Sequence, residues 1–86
     1  MARVEIYTTM LCGYCNAAKR LLAERGAVFV EYDVGGDGEK RAAMTKRAGG
    51  SSTVPQIFIN DRHVGGCDDL YALDRAGKLA PLLAQS

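Results

Sequence analysis

Polar and apolar positions alternate from Val4 to Thr8, with Val4, Ile6 and Thr8 on one side and Glu5 and Tyr7 on the other. That period of two predicts a strand over Val4–Thr8. From Cys15 the period changes. Cys15, Ala18 and Leu22 stand at i, i+3, i+7, and Ala17 and Leu21 at i, i+4, which predicts a helix over Cys15–Arg25 with one apolar stripe. Gly26 suits its C-terminal stop. Val28–Val34 is rich in β-formers and predicts a second strand. After the glycine-rich loop Gly35-Gly36-Asp37-Gly38, a second helix is expected over Glu39–Ala48, closed by Gly49-Gly50. Gln56–Ile59 carries the unbroken apolar run Ile57-Phe58-Ile59, the mark of a strand covered on both faces. Asn60-Asp61-Arg62 reads as a tight turn into a short antiparallel fourth strand beginning at His63-Val64 and broken by Gly65-Gly66. A third helix is expected over Asp69–Arg75, opened by Cys67-Asp68-Asp69 and stopped by Gly77. A short last helix over Leu79–Ala84 would bury Leu79, Leu82 and Leu83. The order β-α-β-α-β-β-α predicts an α/β layer fold with a mixed sheet. Its first two strands should pair in parallel through a right-handed crossover.

Length and charge narrow the function without choosing it. The chain has 86 residues and is expected to form one domain, residues 1–86. Its net charge of +1, with both signs mixed along the chain, carries no bias toward nucleic acid or an anionic membrane. No apolar run approaches the roughly 18 residues of a membrane span. Met1-Ala2-Arg3 lead straight into a strand pattern, so no signal or transit peptide is expected. Three cysteines are an odd number, ill suited to a disulfide scaffold. A reducing compartment, most simply the cytoplasm, fits better.

The chemistry concentrates at Cys12-Gly13-Tyr14-Cys15, where the strand pattern gives way to the helix pattern. A cysteine there faces the free amides and the positive dipole end of the helix, and both favour thiolate. In such sites a thiol pKa falls from about 8.5 to roughly 3.5–7.5. A Cys-x-x-Cys pair beside a β-α-β pattern points to redox chemistry. Cys12, nearer the open end, is expected to be the nucleophile, and Cys15, one turn inside, the resolving thiol. Lys19 returns to the face of Cys12 only about 10 Å along the axis, and reads as a solvated lysine. Cys12, Cys15, His63 and Cys67 also form a C-x2-C…H-x3-C set of zinc-type ligands. Its second half is poor, because His63 falls on a strand and reads as a surface residue there.

Two further stretches stand out. In Thr53-Val54-Pro55 the proline either merely starts a strand or, if cis, presents the backbone of Val54 as an edge for an extended peptide-like substrate. In Gly65-Gly66-Cys67-Asp68-Asp69, two glycines before a helix start expose free amides suited to a carboxylate. Asp69 could hold an ammonium beside them, the pairing that an amino-acid end requires. The plainer reading is that Asp68 or Asp69 caps the helix. Cys67 reads as a small semi-buried residue, with a regulatory thiol as the sharper alternative.

In this order and spacing, Cys12-Gly13-Tyr14-Cys15, Thr53-Val54-Pro55 and Gly65-Gly66-Cys67-Asp68-Asp69 resemble the glutaredoxin family, in particular its small bacterial dithiol type, over essentially the whole chain. The resemblance implies a thioredoxin fold with a four-stranded mixed sheet flanked by helices, a cis Pro55, and glutathione as electron donor. It implies that Tyr14 lines the glutathione site with Thr53, that Val54 pairs with the cysteinyl backbone of glutathione, and that Gly66, Cys67 and Asp68 offer backbone to its γ-glutamyl carboxylate. Asp69 would take the ammonium, and Arg41 would reach the glycine carboxylate. Two positions depart from common family patterns: Thr9 stands where relatives often carry lysine, and Gly13 where many carry proline. Family members with a small residue at the latter place include some that bind a [2Fe-2S] cluster in a dimer, through the first cysteine of each chain and two glutathiones.

The expected function is therefore a glutathione-dependent thiol–disulfide oxidoreductase. Its partners would be glutathione and glutathionylated or disulfide-containing proteins, and it would act as a monomer. The rival expectation is an iron–sulfur carrier or store, with Cys12 as the metal ligand in a cluster-bridged dimer. No other metal site is expected.

Overall fold

The computed structural model describes residues 2–85. Its elements are β1 (Val4–Thr8), α1 (Gly13–Glu24), β2 (Phe29–Asp33), α2 (Gly38–Arg47), β3 (Gln56–Ile59), β4 (Arg62–Gly65), α3 (Cys67–Arg75) and α4 (Leu79–Ala84). The sheet has the order β2-β1-β3-β4. β1 pairs with β2 in parallel and with β3 antiparallel, and β3 pairs antiparallel with β4. This is the mixed α/β sheet that the pattern predicts, with β1 and β3 central.

The period-two reading of β1 assigns its two faces. Val4 and Ile6, with Ile57 and Ile59 of β3, pack against Ala18, Leu21 and Leu22 of α1, Cys67 and Leu70 of α3, and Leu79 of α4. Leu82 and Leu83, expected to bury, only pack partly against this cluster. The other face carries Glu5, Tyr7 and Phe58, and Arg47 of α2 lies across it. Its guanidinium donates to Glu5 at 2.7 and 3.1 Å and to the Tyr7 hydroxyl at 3.0 Å, and it stacks 4.0 Å above the Phe58 ring. Glu5 is only 3 % exposed and also accepts from the Tyr32 hydroxyl. With four charged or hydroxyl groups mutually bonded, the buried carboxylate is satisfied and clips β1 to α2.

Several boundaries differ from the sequence reading. α1 starts at Gly13 rather than Cys15, because Cys12 itself is the N-cap; it ends at Glu24, with Arg25 as C-cap. α2 starts at Gly38, capped by the Asp37 side chain, and ends at Arg47. α3 starts at Cys67 rather than Asp69, behind Gly66 as N-cap. β4 takes in Arg62 and Gly65. β2 loses Val28 and Val34 from its ends, and Val28 is 77 % exposed, because β2 is an edge strand.

Candidate active site

The turn from β1 into α1 places the two cysteines. Cys12 has extended backbone (φ −101°, ψ 106°), and its Sγ accepts from the Cys15 N–H at 3.1 Å. The sulfur thus occupies the position that a serine or aspartate oxygen takes in an ordinary N-cap, facing the amides of the first turn. Cys12 and Cys15 are joined as a disulfide, with Cα atoms 5.2 Å apart. Cys15 is 1 % exposed, whereas Cys12 is half-buried. A reagent arriving from solvent therefore meets Cys12 first. Lys19 corrects the solvated reading: its ammonium pairs with Glu31 at 3.0 Å, and the Thr8 hydroxyl donates to the same oxygen at 2.7 Å. These two bonds hold the Glu31 carboxyl below its usual pKa, the Thr8 bond being the larger influence.

Beside the dithiol lies a cleft of about 280 Å³, lined by Tyr14, Ser51, Thr53, Val54, Pro55, Gln56, His63, and Gly65 through Asp69. It draws on the first turn of α1, the loop before β3, the end of β4 and the start of α3. The Val54–Pro55 bond is cis. Val54 lies outside the ladder, and its N–H and C=O have no backbone partner among the described residues.

Gly66 has no side chain to cap α3, and the Leu70 N–H is the first to bond back, to the Gly66 carbonyl at 3.0 Å. The N–H groups of Cys67, Asp68 and Asp69 are the orphan donors of that turn. Asp69 accepts from the Gly66 N–H through Oδ2 at 3.0 Å, so the capping role set against ligand binding is filled, and Oδ1 is what remains for a ligand. Cys67 is buried; burial, and after it the Asp68 charge, push its thiol pKa up, which favours the plain reading over a regulatory thiol.

Arg41 is not among the cleft-lining residues. Its Nε and Nη2 both donate to the Ser52 carbonyl, at 3.2 and 3.0 Å, so it braces the loop before Thr53 from behind. Cys12, Cys15, His63 and Cys67 do not converge as ligands, and among the described residues no cluster of three or more His, Cys, Asp or Glu could hold a metal.

Sequence reasoning missed Gln56 and underrated His63. The buried Gln56 amide donates from Nε2 to Ser51 Oγ (2.8 Å), the Thr53 carbonyl (3.0 Å) and Thr53 Oγ1 (3.2 Å). Its Oε1 accepts from His63 Nε2 at 2.6 Å. A carbonyl can only accept, so the amide nitrogen must face Thr53, and His63 must carry its proton on Nε2. His63 is exposed, as expected of it, yet its ring also leans on Phe58 at 5.0 Å. A polar residue opening β3, directly before its apolar run, was the one available signal.

A sulfur at a helix N-cap, a shielded second sulfur one turn on, and a sheet with helices packed on it define a thiol–disulfide oxidoreductase of the thioredoxin fold. The comparisons with known proteins make the class more specific. The glutaredoxin family model matches residues 4–64. Glutaredoxin 3 of Escherichia coli K12 is 57 % identical over 83 residues, covering 96 % of this chain and 99 % of that one. A probable glutaredoxin of Synechocystis is 56 % identical over 82 residues, 95 % of this chain and 93 % of its own. The solution structure of a Brucella melitensis glutaredoxin superposes with a TM-score of 0.84 at 55 % identity, over 96 % of this chain and 89 % of that one. A buckwheat glutaredoxin–glutathione complex gives 0.85 at 32 %, over 95 % and 76 %. The chain belongs to the glutaredoxin family.

Proposed function

We propose that the chain reduces protein–glutathione mixed disulfides and protein disulfides with glutathione as the electron donor, Cys12 attacking and Cys15 resolving. The observation that carries this reading is the cleft, where three separated stretches meet next to the dithiol: Tyr14, Thr53 through Pro55, and Gly66 through Asp69. Their chemistry matches a γ-linked tripeptide. The unpartnered Val54 backbone pairs with the cysteinyl residue as an added strand would. The orphan amides of Cys67 and Asp68 take the γ-glutamyl carboxylate, and Asp69 Oδ1 its ammonium. Tyr14 and Thr53 flank the peptide. Arg41 keeps Nη1 uncommitted and meets the glycine carboxylate from the loop's outer side. The buckwheat relative, solved as a glutathione complex, supports the same choice of ligand.

The Cys12 thiolate attacks the glutathione sulfur of a mixed disulfide. A new S–S bond to Cys12 forms, the old one breaks, and the target leaves as a thiolate that takes a proton from water. A second glutathione thiolate then attacks the Cys12-bound sulfur, releasing glutathione disulfide and the Cys12 thiolate. With a protein disulfide, Cys15 attacks the Cys12–target bond, and two electrons pass to the target as the Cys12–Cys15 bond forms. Because the attacking sulfur is already at the α1 N-cap, its negative charge is solvated by the Cys15 amide without rearrangement. A reducing compartment such as the cytoplasm would keep this cycle running.

The cluster reading fits one chain poorly. A [2Fe-2S] centre takes four thiolates, whereas in this fold Cys15 and Cys67 are buried and only Cys12 is partly open to solvent. It would need a second chain and two glutathione thiols, and no step above runs through it.

Titrating the Cys15→Ser protein with glutathione disulfide and following backbone amides by NMR tests the ligand assignment. Shifts should centre on Thr53, Val54, Cys67 and Asp68. Glutathionylation of Cys12 that leaves these amides unmoved would overturn it.

A further inference from the structure

The segment that leads into Cys12 is unusual. Leu11 is fully exposed, at 100 %, and Met10 is 80 % exposed. Leu11 also holds a left-handed backbone, φ 57°, which leucine adopts reluctantly. An exposed leucine gains nothing from burial, and a left-handed one opposes folding, so stability does not account for the pair. Such combinations gather where a surface works. Neither residue lines the cleft, whereas Tyr14, on the other side of Cys12 in sequence, does. Cys12 is thus flanked in the chain by exposed apolar residues outside the cleft on one side and by a cleft-lining residue on the other.

Contact on the first of these sides is enforced by the reaction. To form a mixed disulfide, a partner's sulfur must come within bonding distance of Cys12 Sγ. Consecutive Cα atoms are about 3.8 Å apart, so the residues beside the partner's cysteine then lie within side-chain reach of Leu11 and Met10. We propose that Met10 and Leu11 form a docking surface for the protein half of the substrate and select target cysteines flanked by apolar side chains. The occupant is a segment of a disulfide-bearing protein. Its apolar neighbours cover the two exposed side chains while its disulfide exchanges with Cys12. The inference rests on Cys12 being the attacking thiol, and not on the glutathione cleft. The exchange conserves electrons: the target S–S bond breaks and one sulfur bonds to Cys12. The other leaves as thiolate, and Cys15 completes the two-electron transfer.

The test is single-turnover oxidation of the reduced protein by two disulfide-linked peptides that differ only beside each cysteine, Leu and Phe in one, Ser and Asn in the other. Bis(2-hydroxyethyl) disulfide serves as the flankless reference. The wild type should react about tenfold faster with the apolar peptide, a ratio that burying about half a leucine side chain supports. In Met10→Ser/Leu11→Ser that ratio should fall below twofold, with the reference rate within twofold of wild type. Leu11→Asn tolerates the left-handed backbone and should lower the ratio too. Equal rates for the two peptides in the wild type would overturn the proposal, as would a preference that survives in the double variant. So would an equal loss on the reference, which would place the effect on the thiolate rather than the surface. Trapping the mixed disulfide in Cys15→Ser separates the two layers. A peptide found on any sulfur but Cys12 defeats the attacking-thiol reading as well, whereas one on Cys12 without flank preference defeats the docking surface alone.

Discussion

Gly65 is the hinge on which the α3 side of the cleft is set, and Gly65→Ala measures how firmly. Its φ is +120°, a conformation essentially reserved for glycine, and a Cβ there would run into the Asp69 carboxylate. Forcing an L residue into such backbone costs about 1–3 kcal/mol. Pushing Asp69 aside also breaks its bond to the Gly66 N–H, worth about 1 kcal/mol. Together these give a loss of about 2–4 kcal/mol, or about 10–25 °C in Tm for a domain of this size. Gly13→Ala is the matched control. A Cβ at Gly13 meets nothing within 4 Å and its φ is not positive, so the same chemical change should be neutral or stabilise by up to about 1 kcal/mol. Urea unfolding of both variants at pH 7 reads the difference. If Gly65→Ala unfolds within about 0.5 kcal/mol of Gly13→Ala, the clash and the cap carry no weight and the reasoning fails. A glutathione titration of the folded fraction should also weaken in Gly65→Ala, since Asp69 and the first amides of α3 move with it.

Arg47→Met should destabilise by about 2–4 kcal/mol in urea, because it leaves the buried Glu5 carboxylate with only Tyr32 and the more distant Arg3; Glu5→Gln on top should recover part of that, and a single-variant loss under about 1 kcal/mol would refute the pair's role. Acid should act in the same direction. Glu5, held chiefly by Arg47, and Glu31, held chiefly by Thr8 and Lys19, have folded-state pKa values below the ordinary 4.5, so their stabilisation is complete above about pH 5 and lost as pH falls through the folded values. Denaturation midpoints between pH 7 and pH 2 should show that fall, and Arg47→Met should flatten it. Cys67, with its raised pKa and burial, should alkylate at least tenfold more slowly than a free cysteine at pH 8 in a Cys12→Ser/Cys15→Ser chain; alkylation at the free rate would mean an exposed thiol.

The elements and their order were legible because β1, α1 and β3 each carry a clean period, and burial follows it: Ile6, Ala18, Leu22 and Ile57 are all fully covered. Helix starts were less legible. Cys12 caps α1 though cysteine is not a residue that sequence reasoning flags as a cap, and Gly66 caps α3 without a side chain to mark the start. The apolar content of β2 misled at Val28, since propensity does not tell an edge strand from a central one. At the site, the three motifs are contiguous in sequence and could be read directly. The Gln56–His63–Thr53 bonds and the Arg47–Glu5 pair could not, because the latter joins residues 42 apart that only the folded sheet brings together. Arg41 was read as reaching the glycine carboxylate; it stands on α2 with its guanidinium on the Ser52 carbonyl, a contact no motif encodes.

The most direct test of the dithiol reading is glutathione-coupled reduction of a glutathionylated small thiol by wild type, Cys12→Ser and Cys15→Ser. The half-buried N-cap sulfur and the 1 % exposed second sulfur predict that Cys12→Ser is inactive and that Cys15→Ser retains deglutathionylation while losing reduction of protein disulfides. Activity that survives in Cys12→Ser, or that disappears equally in both variants, would contradict it.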